Sequence, residues 1–223
     1  GKGRMEEPDV IIRHLEEFFA AKDGDLAGKK IMITTGPTYE KIDPVRFIGN
    51  YSSGKMGFAL ADECAARGAA VILVSGPVQL RTHYPMHQHF NVESAGQMFE
   101  AATSLFYNAD AVIMAAAVAD YTPKPTQDIA ARLGEMKKQY PGKVLVGFAL
   151  ETNDERQNAE DKLNRKNLDF IVLNSLNDKG AGFRYDTNKI SIIDRNGKKD
   201  YPLKSKAEVA ADIIDHLVEV MKH

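Results

Sequence analysis

Cysteine is almost absent from this chain: Cys64 is the single thiol among 223 residues. One thiol excludes an intramolecular disulfide framework and fits a reducing compartment. Placed within a probable helix, it reads as a small buried apolar side chain. An excess of charge is missing too, since 29 basic and 31 acidic side chains leave a formal net charge of -2. No global field would draw the chain to nucleic acid or to an anionic membrane, so any anion it binds must meet a local group of cations. No apolar run approaches the roughly 18 residues of a membrane span, and the N-terminus lacks the layout of a signal peptide. The expectation is a cytoplasmic protein that engages neither membrane nor nucleic acid. Internal repeats and low-complexity tracts are also lacking.

What is present is the composition of an ordinary globular protein, 43% hydrophobic and 27% charged, in a chain long enough to bury its own core. Residues Pro8 to Ala21 read as a helix with apolar Val10, Ile11, Leu15, Phe18 and Phe19, released by the Lys22-Asp23-Gly24-Asp25 break. Residues 1–25 are therefore an N-terminal linker and helix, and 26–223 the main domain. Short apolar runs then alternate with amphipathic segments: Lys30 to Thr35, helix Lys55 to Arg67, Ala70 to Ser75, helix Ala95 to Tyr107, Ala111 to Ala116, helix Gln127 to Gln139, Lys143 to Ala149, helix Asp154 to Lys166, and Asp169 to Leu173. This βαβ grammar predicts an α/β fold, a doubly wound, mainly parallel Rossmann-like sheet. A small C-terminal hairpin extension, 189–203, turns at Arg195-Asn196-Gly197-Lys198, and Lys206 to Met221 closes the chain as an amphipathic helix.

Ligands of doubly wound sheets collect at the carboxyl ends of the strands. The first strand ends in Thr34-Thr35-Gly36-Pro37-Thr38, without the GxGxxG of a dinucleotide-binding turn. A long loop follows, of the kind that is commonly functional, and it holds Arg46, Asn50, Ser52, Ser53 and Gly54 just before a helix. Glycine and hydroxyl residues there offer backbone N–H groups and a positive dipole end to a phosphate or carboxylate; Ser52 and Ser53 also suit simple helix capping. Arg46 carries a planar fork for an anion or lies solvated. Further on, Met114-Ala115-Ala116 ends a strand with small side chains, and Asp120 is either a hard-cation ligand or a helix cap. Phe148 by itself reads as core packing. Lys162 and Lys166, four apart beside Arg165, share one helical face.

Five blocks occur in order: Gly36-Pro37-Thr38, Asp43 to Gly57, Ala115 to Tyr121, Val146 to Thr152 and Lys162 to Asp169. They match GxT, DPVRxIxNxSSGKMG, AAAVADY, VGFxxET and KxxxKxxD. Over about Leu26 to Leu203 the chain thereby resembles the phosphopantothenoylcysteine synthetases (phosphopantothenate–cysteine ligases), the synthetase half of the bifunctional bacterial coenzyme A protein. The resemblance implies that 4'-phosphopantothenate, activated by CTP to an acyl-cytidylate, is joined to L-cysteine. It implies Mg2+ or Mn2+ as the metal, with Asp120 as its ligand, and a homodimer with the loop around Arg46 and the tail hairpin as candidate contacts. Asn50 and Arg46 take the catalytic roles. The nucleotide falls to Gly36, Thr38, Ser53, Gly54, Met114, Ala115, Ala116, Asp120, Gln127, Asp128, Ile129, Ala130, Phe148, Lys162 and Lys166. The opening Gly3 to Pro8 looks like the segment that joins a flavin-dependent decarboxylase half to this one.

The match departs from the family in two places. Thr126-Gln127-Asp128-Ile129 replaces the usual Pro-Asp-Ile, and Pro125 runs directly into Thr126 where family members carry a flap with a Lys-Ile-Lys-Lys motif. The intact flanking blocks favour a native protein that carries this lid, which suits such chemistry, over a genuine deletion, which would leave a binder with poor turnover. CTP rather than ATP rests on the bacterial resemblance alone. Two alternatives remain at this stage: an NAD(P)-dependent oxidoreductase, which would want a glycine fingerprint and a Tyr-x-x-x-Lys pair on a suitable helix, and a non-catalytic nucleotide-binding module.

Overall fold

Strands buried on both faces of a parallel sheet need continuous apolar runs rather than alternating ones, and the runs read above form the centre of the molecule. The computed structural model describes residues 7, 8, 12, 24–119, 128–151, 155–175 and 185–222. In chain order the elements are β1 (Lys30–Thr35), β2 (Glu40–Lys41), β3 (Phe47–Ile48), α1 (Lys55–Ala66), β4 (Ala70–Ser75), β5 (Gln88–Asn91) and α2 (Ala95–Leu105), followed by a short 3-10 turn at Phe106–Asn108. There follow β6 (Ala111–Met114), α3 (Ile129–Lys137), β7 (Val144–Glu151), α4 (Glu155–Arg165), β8 (Phe170–Ser175), β9 (Thr187–Asn188), β10 (Ile190–Asp194), β11 (Gly197–Asp200), β12 (Lys204–Ser205) and α5 (Lys206–Val220). The eight-stranded sheet has the order β11-β10-β8-β7-β6-β1-β4-β5. From β8 to β5 all pairings are parallel, with β1 between β4 and β6.

The expected doubly wound sheet is therefore present. The tail hairpin does not stand apart from it: β10 pairs antiparallel with β8, and β11 extends the same sheet. Its turn is the two residues Arg195-Asn196, held by Asp194 Oδ1, which accepts from the N–H of Asn196 at 2.7 Å and of Gly197 at 3.0 Å. β5 has no counterpart in the sequence reading, because all four of its residues are exposed and an edge strand without an apolar face leaves no periodic signal. The helix Pro8 to Ala21 lies almost wholly outside the described residues.

Two apolar layers cover the sheet. On one face Phe58, Leu60 and Cys64 of α1 and Val209, Ile213 and Leu217 of α5 pack on Ile31, Ile33, Val71 and Val172. On the other, Met98 of α2, Leu133 of α3 and Leu163 of α4 pack on Met32, Ile72, Val112 and Ile171. Burial pushes the Cys64 thiol far above its usual pKa, so the lone cysteine is a core residue as expected. The division places α1 and α5 on one side and α2, α3 and α4 on the other, and the site below depends on it.

Candidate functional site

Strand order reverses between the parallel neighbours β1 and β6: the strands that follow β1 step outward to one side, and those that follow β6 to the other. A crevice opens at the carboxyl ends of strands at such a switch point. Here the two strands stay zipped beyond their ends. Ala115 N donates to Thr34 O at 3.0 Å, Ala117 N to Gly36 O at 2.9 Å and Ala119 N to Thr38 Oγ1 at 2.8 Å. This extended ladder is the back wall of a cleft of about 160 Å³.

The loop before α1 closes one side. Gly54 caps that helix at φ +76, with Gly36 Cα 3.4 Å from where a Cβ would stand, and Thr35 Oγ1 donates to Gly54 O at 3.0 Å. A side chain at Gly54 would be strained by its left-handed backbone and crowded by the β1 end. No side chain caps α1, whereas Ser94, Asp128 and Ser205 cap α2, α3 and α5. The first-turn backbone of α1 lines the cleft.

The cleft is lined by Ser52 through Gly57, Ala115 through Ala117, Phe148, Ala149, Leu150, Asn174, Asn188 and Lys206. Of the residues expected there, Ser53, Gly54, Ala115, Ala116 and Phe148 are in the wall. Gly36 and the fully buried Thr38 stand behind it in the ladder. Asn50 sits at its rim: Nδ2 donates to the carbonyl of Ala117, and Oδ1 accepts from Ser52 N at 3.1 Å. Its carboxamide therefore links the loop to the wall.

The remaining expected residues lie elsewhere. Arg46 is exposed on the β2–β3 turn, with Nε 2.6 Å from Asp43 Oδ2. Met114 and Ile129 are core residues of the α2–α4 face, and Ala130 packs against the same layer. Lys166 Nζ pairs with Asp128 Oδ2 at 2.8 Å just past α4, and Lys162 is half-buried on that helix. Asp120 and Gln127 lie outside the described residues. Among the described residues no group of three or more His, Cys, Asp or Glu could hold a metal, and no carboxylate lines the cleft. The described residues therefore do not make a metal site.

Burial opposes ionisation of Asp128, but the Lys166 hydrogen bond and the Ala131 and Ala130 amides outweigh it, so its carboxyl lies below the usual value of 3.8. A depressed folded-state pKa contributes stability above the unfolded value, and that contribution is lost as pH falls through the folded one. Asp128→Asn is accordingly expected to flatten the acid limb of a plot of Tm against pH below about 4, read by thermal denaturation. A wild-type slope retained in the variant would contradict it.

Sequence reasoning missed the two lysines and the two asparagines of the lining. Lys55 stood inside a quoted block without being given a role. Asn174 ends β8 at the carboxyl edge, where position alone could have marked it. Asn188 and Lys206 come from β9 and α5, and their sequence surroundings carry no ligand signal. Asn188 is buried and donates through Nδ2 to Asn174 Oδ1 at 2.9 Å. Lys55 Nζ lies 2.5 Å from Asp186 Oδ1, and that contact holds the Asp186 carboxyl below its usual range. Lys206 is only 8% exposed; burial lowers its pKa, with the Lys55 ammonium adding in the same direction and Asp186 opposing.

With this geometry in hand, the sequence model of the DNA/pantothenate metabolism flavoprotein C-terminal domain matches residues 26–127 and 124–221. The chain belongs to that family. A prokaryotic relative of unknown organism, named cysteine/cysteine sulfinic acid decarboxylase, is 51% identical over 99% of this chain and 67% of its own length. The coenzyme A biosynthesis bifunctional protein CoaBC of Bacillus subtilis (strain 168) is 43% identical over all of this chain and 59% of its own. The chain thus spans about three fifths of that bifunctional relative. Among solved structures, the C-terminal domain of a CoaBC protein aligns with TM-score 0.78 and 42% identity, covering 89% of this chain and 98% of that one. The two stretches of the DNA/pantothenate flavoprotein match overlap at residues 124–127. The Bacillus alignment runs over 243 positions, more than the 223 residues of this chain.

Proposed function

We propose that this chain is the ligase half of a coenzyme A biosynthetic protein, joining 4'-phosphopantothenate to L-cysteine at the expense of CTP. The observation that carries the reading is the convergence of the Ser53-Gly54-Lys55, Ala115 to Ala117 and Phe148 blocks on one cleft, in a chain 43% identical throughout to a CoaBC protein. In the first step a carboxylate oxygen attacks the α-phosphorus of CTP, and pyrophosphate leaves with the electron pair of the broken P–O bond. In the second, the cysteine amine attacks the acyl carbon, CMP leaves with the pair of the C–O bond, and the amine proton passes to solvent.

Both steps develop negative charge, which fixed donors and cations stabilise without reorganising. The first-turn amides of α1 and the side chains of Lys55 and Lys206 supply such groups. The alanines let a planar base or acyl chain lie against backbone, and Phe148 offers a ring to it. Mg2+ or Mn2+ would neutralise the triphosphate, with Asp120 as the proposed ligand. A homodimer is supported by the β2–β3 arm, which presents Val45 87% exposed and Phe47 52% exposed. A flavin-dependent decarboxylase as the other half would account for the word bifunctional in the relative's name, and a cytoplasmic setting follows from these soluble substrates. Among the described residues no helix is long and apolar enough to cross a membrane.

The test is pyrophosphate release by the full-length protein with 4'-phosphopantothenate and either CTP or ATP, followed by mass spectrometry for the cysteine amide. Release with CTP exceeding that with ATP by about tenfold or more is expected, a difference of about 1.4 kcal/mol or more. No release with either nucleotide would refute the reading. The 51% identical relative bears another activity in its name, so the same assay measures carbon dioxide released from L-cysteine without nucleotide. Gas without pyrophosphate would favour that activity.

A further inference from the structure

The loop that brings Asn50 to the cleft is fastened at the other side of the β2–β3 ribbon. In that ribbon Glu40 stands opposite Ile48 and Lys41 opposite Phe47, so Asn50 lies only two residues beyond the Glu40–Ile48 pair. Two strands of two residues each do not hold their shape in water by themselves. The ribbon draws its rigidity from the start of α2: Glu40 Oε1 accepts from Ala95 N at 2.7 Å, Tyr39 N donates to Glu93 O at 2.7 Å, and Lys41 Nζ lies 2.9 Å from Glu93 Oε2.

The Glu40 bond is the strongest of the side-chain ties. α2 already has its own capping box, in which Ser94 Oγ accepts from Gln97 N and the Gln97 side chain accepts from Ser94 N. Ala95 N is a first-turn donor that the helix itself leaves unpaired. The Glu40 carboxylate, arriving from 55 residues away, meets both that N–H and the positive end of the helix dipole. The Lys41–Glu93 pair is exposed on both sides and contributes little.

From Glu40 the constraint passes to Asn50 by direct contact. The Tyr39 ring stacks on Phe47 with centroids 4.1 Å apart. Gly49 lies against the same ring, since a Cβ there would stand 2.7 Å from Tyr39 Cδ1 and 3.2 Å from Thr38 O. Asn50 follows and donates to Ala117 O, and Thr38 N donates to the same carbonyl at 3.3 Å. Both ends of the ribbon therefore meet at Ala117.

We infer that Glu40 is a positioning residue for Asn50: bound to the α2 N-terminus, its carboxylate holds the β2–β3 ribbon where the Asn50 carboxamide reaches the Ala117 carbonyl. Glu40 is not part of the cleft lining, so it acts through Asn50 and not on a ligand. Only the kinetic test of this inference rests on the ligase reading.

Glu40→Ala removes the acceptor, whereas Glu40→Gln keeps an oxygen for Ala95 N. In nucleotide-free full-length protein the Asn50 carboxamide protons are assigned by NMR as the signals missing from Asn50→Ala. Their exchange with water is expected to be about tenfold faster in Glu40→Ala and within about threefold of wild type in Glu40→Gln. In single turnovers Glu40→Ala should slow the reaction of acyl-cytidylate with cysteine by about tenfold, the effect of a modest misplacement, and Glu40→Gln should recover most of that loss. In an Asn50→Ala background Glu40→Ala should change the rate by less than about twofold, because the group it positions is gone. Losses that multiply in the double variant would overturn the inference. A lowered Tm with Asn50 exchange at the wild-type value would make Glu40 a cap of α2 alone, and would also overturn it. If no pyrophosphate is released the ligase reading fails, and the exchange contrast still decides: faster exchange in Glu40→Ala upholds the positioning role and unchanged exchange ends it. Should Glu40→Ala not fold, Glu40→Asp, one methylene too short for Ala95 N, is read by the same exchange with the same two outcomes.

Discussion

In the proposed ligase reaction, alanine at position 50 is expected to slow acyl transfer to cysteine by about 10²- to 10³-fold, the range seen when one preorganised donor is lost from a site of developing negative charge. The Asn50 carboxamide ties the loop to the wall through Ala117 and Ser52. An amide NH2 has two hydrogens, so the one given to the Ala117 carbonyl leaves a second for an acyl oxygen beside that wall. Removing the side chain cuts both ties and the donor. The two contributions separate in single-turnover experiments. If Asn50 only shapes the loop, KM values rise while preformed acyl-cytidylate reacts with cysteine at its normal rate. If it donates, that rate falls and Tm stays within a few degrees. Asn50→Asp keeps an acceptor for Ser52 N but sets a negative charge against the Ala117 carbonyl, and is expected to be at least as slow. Normal ligation by the alanine variant would refute the role.

The largest effect on stability is expected from Gly76→Ala. A Cβ at Gly76 would lie 1.7 Å from Pro37 O and 2.8 Å from Pro37 C. These are backbone atoms that cannot turn aside, and Gly76 N is already pinned to Thr35 O at 2.9 Å. Relief requires moving Pro37, which bridges to Ala117, and with it the wall of the cleft. A cost of about 3 kcal/mol is the scale of such overpacking, which for a chain of this size lowers Tm by about 6–12 °C. Gly142 is the control, since nothing stands within 4 Å of its Cβ position; Gly142→Ala should stay within about 0.5 kcal/mol. Thermal denaturation of the two variants checks the contrast, and equal melting temperatures would sink it.

The strands at the heart of the sheet were legible because their signal is local. Runs such as Ile31 to Ile33 and Ala111 to Met114 are apolar on both faces, and only a sheet covered on both sides accommodates that. The helices shifted by only a residue or two at most ends: α3 starts at Ile129 rather than Gln127, where Asp128 caps it by accepting from Ala131 N at 3.0 Å. β5 escaped notice because an exposed edge strand has no apolar face to read. The motif blocks likewise marked the Ser53-Gly54 turn, Ala115-Ala116 and Phe148 as neighbours of a ligand, and all five line one cleft.

By itself the sequence determined the fold class, the strand ends that build the cleft and the lone cysteine's place in the core, since each follows from hydrophobic periodicity and turn chemistry within a short window. Only the tertiary structure decided which cations face the cleft. Lys55 and Lys206 stand far apart in the chain and meet because α1 and α5 pack on the same face, whereas Lys166 pairs with Asp128 on the other. Side-chain charge is written in the sequence, but the distance between charges is set by helix packing over long chain separations, and no local pattern encodes it.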